Sequence, residues 1–350
     1  MLPYPRRIEL ARSPTPLQLL ERASARWGGG HRLWLKRDDL TGCTLSGNKV
    51  RKLEFITAYA QDHGFDTLLT CGGLQSNHCR ATAFVGAQLG LKVHLLLRGE
   101  PADATGGNYF LDQLAGAKID CYPARQYFAE LDSLFEHWRQ HYLALGRQAL
   151  IIPTGGSDGI GAWGYIAACE ELATDLQAAR IEQAHVVTAS GSGGTQAGLT
   201  LGAALHGLPA TIWGVNVCDD EQYFLDKVAA DASDWANRYP GLPSVEIQPR
   251  VLDGYVGKGY GIAGEEVFAL IAELARLEGV VLDPVYTGKA FYGMVSEIAR
   301  GRFAGCRDIV FIHTGGIFGL FPQAGGFTFR PSADTTGPTR ADQTSVRQTG

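Results

Sequence analysis

The sequence predicts an α/β fold of two open, mostly parallel twisted sheets with helices on both faces. Two observations carry this expectation. Short apolar runs alternate with helix-period segments along almost the whole chain. The glycine- and hydroxyl-rich segments mostly follow the strand candidates, at the carboxyl ends where parallel sheets hold their ligands.

Taken in order, residues 67–71 (TLLTC) read as a buried strand and 80–89 as the helix after it. Residues 93–97 form the next strand, with a helix near 109–114. A strand over 118–122 leads into a long helix from about 126 to 145. Residues 151–153 then lead to a helix that begins near Gly161. Further strands are predicted at 185–188, 211–215 and 308–312, and further helices at 195–205, 264–277 and 290–299. This alternation is the signature of parallel pairing through helical crossovers.

The composition excludes several classes. At 350 residues the chain has room for two domains or one large one. It is 45% hydrophobic and 19% charged, as globular chains are. A net charge of −5 provides no basic footprint for nucleic acid or anionic lipid. Seven scattered cysteines without a C-x-x-C pair argue against a disulfide framework or a metal site, and for a reducing compartment. No signal-like apolar core and no run of 18 apolar residues is present, so the expectation is a cytoplasmic protein that spans no membrane. No internal repeat is visible. Residues 331–350, poor in large apolar side chains, are expected to be a disordered tail.

Four motifs carry chemistry. The first, S-G-N-K-V-R-K-L-E over 46–54, sets Lys49 beside Asn48 at the glycine-marked entry to an amphipathic helix. A lysine there can form an imine with an aldehyde cofactor, and a helix N-terminus favours anions and the neutral amine. A solvated surface charge is the plainer alternative for this motif alone. The second, C-G-G-L-Q-S-N-H-C-R over 71–80, follows a strand and opens a helix. Ser76 and Asn77 then sit where free N–H groups receive a carboxylate, or act as a simple cap. His78 reads first as a packing residue.

The third is the loop Gly191-Ser192-Gly193-Gly194-Thr195, between a strand and a helix. Small residues let backbone N–H groups approach phosphate oxygens, and hydroxyls add donors. The loop has neither the lysine of a nucleoside-triphosphate loop nor a dinucleotide pattern, so a phosphorylated cofactor suits it better. The fourth comprises Gly259-Tyr260-Gly261, then D-P-V-Y-T-G-K-A over 283–290, and H-T-G-G over 313–316. Tyr286 can stack on a planar ring, and Thr287 can meet a ring nitrogen. Tyr260 is either a phenol acid–base group or a turn aromatic.

Taken together, these motifs resemble the 1-aminocyclopropane-1-carboxylate deaminase/D-cysteine desulfhydrase family of pyridoxal-phosphate enzymes over about residues 5–325. K-R-D-D at 36–39 and the four motifs fall in the family's order. The resemblance implies the tryptophan synthase β-like fold, with a smaller domain (46–159) inserted into a larger cofactor-binding one (1–45 and 160–330). It implies that Lys49 carries the cofactor as a Schiff base, with Asn48 beside it. Ser76 and Asn77 hold the substrate carboxylate and the cofactor's hydroxyl side, and Ser76 is also a candidate nucleophile. Residues 191–195 hold the phosphate, Tyr286 stacks on the pyridine and Thr287 bonds its nitrogen. Lys49, Ser76, Tyr260 and Tyr286 are the catalytic candidates, and His78 and Thr314 join the substrate contacts.

Deaminase members resemble D-P-V-Y-E-G-K and H-L-G-G, whereas this chain has Thr287 and Thr314, the desulfhydrase-like pattern. A carboxylate at the ring nitrogen deepens the electron sink, and a hydroxyl gives a weaker one that suffices when a good leaving group departs from Cβ. The expected reaction is therefore α,β-elimination from a small amino acid, foremost D-cysteine. L-cysteate sulfo-lysis and β-replacement are the alternatives. A non-catalytic pyridoxal-phosphate carrier would not need the substrate-side residues. The resemblance also implies a homodimer.

Overall fold

The computed structural model describes residues 2–103 and 106–329, so the anticipated tail lies outside the described residues. The chain opens with β1 (Leu17–Leu19), α1 (Glu21–Trp27), β2 (Arg32–Lys36) and α2 (Asn48–Asp62). A run of alternating elements follows: β3 (Thr67–Gly73), α3 (Asn77–Leu89), β4 (Lys92–Arg98), α4 (Gly107–Leu114), β5 (Lys118–Tyr122), α5 (Ala124–Ala144) and β6 (Ala149–Ile151). Next come α6 (Trp163–Ala178), β7 (Ala184–Ser190), α7 (Gly194–His206), β8 (Ala210–Asn216), α8 (Glu221–Arg238) and β9 (Val251–Leu252). Helices α9 (Glu265–Glu278) and α10 (Thr287–Ala299), strand β10 (Asp308–Ile312) and the short α11 (Ile317–Leu320) complete the described chain.

The strands form two sheets. One has six strands in the order β1-β2-β10-β7-β8-β9, and the other has four in the order β5-β4-β3-β6. All pairings are parallel except β1 with β2, an antiparallel edge. The fold class is thus the expected one. The strands of the second sheet run in register from Thr67↔Lys92 to Gly73↔Arg98, which brings Gly73 and Arg98 side by side at the carboxyl end. Apolar strands such as TLLTC and DIVFI are buried along their length because helices cover both faces.

The sequence reading did not anticipate β1, α1, β2, α8 or β9. Strands β1 and β9 have only three and two residues, too few to show a period. In β2 (RLWLK), burial alternates over the first four residues and ends on a buried Lys36, and the charged ends hide the strand. Helix α3 is capped by the Ser76 hydroxyl, which accepts from the Cys79 N–H at 3.2 Å, and it closes at Gly90 in the left-handed region. Among the described residues, no helix is long and apolar enough to cross a membrane.

Candidate active site

A cavity of about 480 Å³ is lined from both sheets, at the carboxyl ends of their strands. Helix α2 delivers Lys49 to it. The turn before the helix needs Gly47 at φ +91, and a Cβ there would overlap the Thr314 carbonyl. That carbonyl accepts from the Asn48 N–H at 3.2 Å. Asn48 Nδ2 donates to Thr195 Oγ1 at 2.9 Å, tying the helix entry to the glycine loop. Arg80 Nη2 donates to the Ser46 carbonyl at 2.8 Å from beneath. Lys49 is half-buried, and a Cβ added at Gly155 would stand 3.1 Å from its Nζ. Withdrawal from water pushes the Lys49 amine down to about 8, against a small opposite pull from Cys79.

Ser76, Asn77 and His78 line the facing wall. Asn77 Oδ1 accepts from Asn108 Nδ2 at 3.0 Å, which fixes the carboxamide. Thr70 Oγ1 gives its single proton to the Ile152 carbonyl at 2.8 Å, so it accepts from His78 Nε2 at 2.8 Å. This assigns the Nε2–H tautomer to His78. Burial first, then the charges of Lys49 and Lys52, hold that ring well below its ordinary pKa, and it is neutral.

Gly191, Ser192, Gly193 and Thr195 line the cavity at the start of α7. Gly193 has φ +78, which a side chain would strain. Gly194 faces away, its N–H donating to Ser157 Oγ at 3.2 Å, and Ser157 Oγ donates to Ser192 Oγ at 2.9 Å. Tyr260 and Tyr286 meet through their hydroxyls at 2.5 Å. Burial raises both phenols above their usual range. A Cβ on Gly191 would come within 2.8 Å of the Tyr286 ring, so the glycine makes room for that ring's edge.

Thr287 departs from expectation. It is fully buried and does not line the cavity. Its hydroxyl accepts from the Asp283 N–H at 2.8 Å and donates to Asp283 Oδ1 at 2.7 Å. Asp283 also accepts from the N–H groups of Val285, Tyr286 and Thr287, closing the start of α10. Thr314 does line the cavity, with its backbone pinned to α2.

The sequence reading missed four groups. Lys52 lies one turn after Lys49, buried, with Nζ donating to the Gly155 carbonyl at 3.1 Å and to Ser157 Oγ at 3.3 Å. Lys227 donates to the Ser157 carbonyl at 3.1 Å and pairs with Asp231. With Ser157, these lysines stand behind the glycine loop, where burial first and then the neighbouring Lys49 hold the Lys52 amine well below its ordinary value. The i, i+3 spacing of Lys49 and Lys52 was the one signal available for them. The fourth is Arg98, at the end of β4. Among the described residues, no group of three or more His, Cys, Asp or Glu side chains is placed to hold a metal.

The donor set fits a phosphorylated planar aldehyde. It combines a partly desolvated amine, a glycine loop at a helix N-terminus with two lysines behind it, a flat phenol ring and a threonine in the cavity wall.

Comparisons with known proteins agree. A family model described as pyridoxal-phosphate dependent enzyme matches residues 8–315. A Thermotoga maritima protein, provisionally named as a 1-aminocyclopropane-1-carboxylate deaminase, is 41% identical over 320 residues, covering 91% of this chain and 98% of its own. A D-cysteine desulfhydrase from Klebsiella pneumoniae is 40% identical over 325 residues, covering 90% and 95%. A crystal structure of an ACC deaminase homologue superposes with a TM-score of 0.84 at 36% identity, covering 92% of this chain and 95% of that one. The fold is the tryptophan synthase β-like type, and the cofactor is pyridoxal 5'-phosphate.

Proposed function

The chain belongs to the pyridoxal-phosphate dependent enzymes and is a lyase among them; from that premise we propose that it catalyses α,β-elimination from a small amino acid bearing a leaving group on Cβ, foremost D-cysteine. One D-cysteine and one water give pyruvate, ammonia and hydrogen sulfide. The bound cofactor supplies an electron sink for the pair left when the Cα–H bond breaks.

On this reading Lys49 anchors the cofactor, and its Nζ takes the Cα proton, a task suited to an amine near pKa 8. Gly191, Ser192, Gly193 and Thr195 hold the phosphate through N–H groups and hydroxyls, with Lys52 and Lys227 behind them. Ser76 and Asn77, at the N-terminus of α3, receive the substrate carboxylate, and neutral His78 shapes the wall beside them. Tyr286 lies along the ring. Tyr260 Oη, hydrogen-bonded to Tyr286 Oη, donates its own proton to the departing sulfur.

The observation that carries the choice of substrate is Thr314. It lines the cavity while Thr287 is engaged by Asp283, so on this reading Thr314 is the hydroxyl residue that partners the ring nitrogen. A neutral partner does not hold that nitrogen protonated as a carboxylate would, and thiol elimination asks less of the sink than ring opening does. The relatives' names divide between the two activities at nearly equal identity, so similarity does not choose between them. The protein is read further as a homodimer of the cytoplasm, with residues 46–159 as the smaller inserted domain. The test is stoichiometry. The holoenzyme should release pyruvate and sulfide from D-cysteine in a one-to-one ratio, and release of neither from any thiol amino acid would refute the proposal.

A further inference from the structure

The reading above leaves Arg98 without a task. Its side chain lines the cavity at the carboxyl end of β4, next to Gly73 in the sheet. Its guanidinium carbon lies 4.8 Å from the Phe128 ring centroid, 5.0 Å from that of Tyr260 and 5.8 Å from that of Tyr127. Among the described residues it has no carboxylate within 4.0 Å and no hydrogen-bond acceptor. Arg51 is paired with Asp38 and Glu171, and Arg37 with Asp39, whereas the fully buried Arg80 gives one N–H to the Ser46 carbonyl and lies outside the cavity wall. Arg98 is held by aromatic rings alone.

Rings attract a guanidinium but take none of its in-plane N–H donors through the acceptor oxygens that such donors prefer. The fork remains available. A Cβ at Gly73 would be 3.9 Å from both Arg98 Nη2 and Tyr260 Oη, so the cation and the phenol flank one point of the wall. Gly73 precedes Ser76 by three residues, and its carbonyl accepts the Ser76 N–H at 2.9 Å. The space beside Arg98 therefore adjoins the helix terminus assigned to the α-carboxylate, yet is separate from it.

A small β-substituted amino acid carries negative charge at its α-carboxylate and, for some substrates, at its β-group. We propose that Arg98 is a specificity residue that receives an anionic β-substituent, so that the site prefers amino acids bearing a sulfonate, sulfinate or thiolate on Cβ over those with a neutral group. This rests on the elimination reading and names its substrate class. A guanidinium fork matches the oxygens of a sulfonate through paired N–H donors. With cysteate, the Cα–H proton passes to Lys49 and the Cβ–S bond breaks with its electron pair on sulfur. Sulfite departs beside the cation, and water converts the enamine to pyruvate and ammonia.

The test uses holoenzyme and the variants Arg98→Leu and Arg98→Lys. Equilibrium binding is followed by the visible spectrum with two probes: aspartate, which carries a β-anion but no leaving group, and alanine, which carries none. Both enantiomers are used. Arg98→Leu should weaken aspartate binding at least tenfold and alanine binding less than threefold, and Arg98→Lys should retain part of the preference. In parallel, kcat/KM should fall at least tenfold for cysteate and less than threefold for β-chloroalanine. An equal loss for both probes would make Arg98 an α-carboxylate contact and overturn the proposal, as would no loss. If Arg98→Leu fails to fold, Arg98→Lys with an unchanged aspartate-to-alanine ratio overturns it. Wild-type enzyme that binds aspartate selectively through Arg98 but releases no pyruvate from any amino acid would sink the elimination reading and leave the anion site standing.

Discussion

Lys49 is distinguished by its surroundings. The amine sits close to the glycine at position 155, and its withdrawal from water favours the neutral, nucleophilic form. Lys49→Ala should abolish the visible absorption of bound cofactor together with turnover; a band that persists in the variant would show that another lysine is the anchor. The sign of the pH dependence follows from the lowered value. Below about 8 the amine is mostly protonated and above it mostly neutral. Cofactor uptake by protein stripped of it should accelerate roughly tenfold between pH 7 and pH 9, as the neutral fraction rises. Uptake that is flat across this range would contradict the assignment. Lys49, Ser76 and Asn77 were legible because each stands in a motif at a strand–helix junction. Thr287 was misplaced because its position beside Tyr286 does not reveal which hydroxyl Asp283 captures. The spacing Asp283 to Thr287, a side-chain cap at a helix start, was the available clue. Arg98 was invisible because a lone arginine after a strand has no pattern, and its aromatic neighbours Phe128 and Tyr260 are distant in sequence.

At the scale of elements, the site depends on how helices begin. Helix α2 starts where Gly47 adopts φ +91 against the Thr314 carbonyl, and α7 starts at Gly193 with φ +78. A Cβ on Gly193 would lie 2.8 Å from the Lys227 side chain, and the left-handed backbone would be strained as well. Gly193→Val should therefore lower cofactor affinity tenfold or more, measured by dialysis against limiting cofactor, with a smaller loss of thermal stability. Unchanged affinity would remove the loop from the site. Most buried strands and their following helices could be read from the sequence because apolar runs and turn residues mark them. The short strands β1 and β9 could not, because they exist through pairing with β2 and β8.

Across the whole molecule, a buried charge cluster fastens α2 to the six-stranded sheet and α6. Arg51 pairs with Asp38 at 2.7 Å and with Glu171 at 3.0 Å, Tyr165 donates to Asp38 at 2.6 Å, and Lys36 joins Glu171 and Asp175. This gives the K-R-D-D segment at 36–39 a structural meaning that the sequence order alone did not. Burial pushes the Asp38 carboxyl up, but Arg51, Tyr165 and Thr15 outweigh it and hold it below the usual range; Glu171 is lowered in the same way by Arg51 and Lys36. Folded-state values below the unfolded ones add stability above about pH 4 that is lost as the pH falls further. Arg51→Leu leaves Asp38 buried without its partner and should cost about 3–5 kcal/mol in denaturant unfolding at pH 7. Its deficit relative to wild type should shrink in acid, where protonated carboxyls no longer need the cation. A deficit that stayed constant down to pH 3 would contradict this account of the cluster. The proposal to test is elimination at a cavity whose wall includes Thr314, the residue proposed to partner the ring nitrogen. The most direct test is a competition in which wild-type holoenzyme receives equimolar D-cysteine and 1-aminocyclopropane-1-carboxylate, and the 2-oxo acids formed are separated by mass. Three-carbon pyruvate should dominate by at least a hundredfold; a four-carbon product in equal or greater amount would contradict the claim.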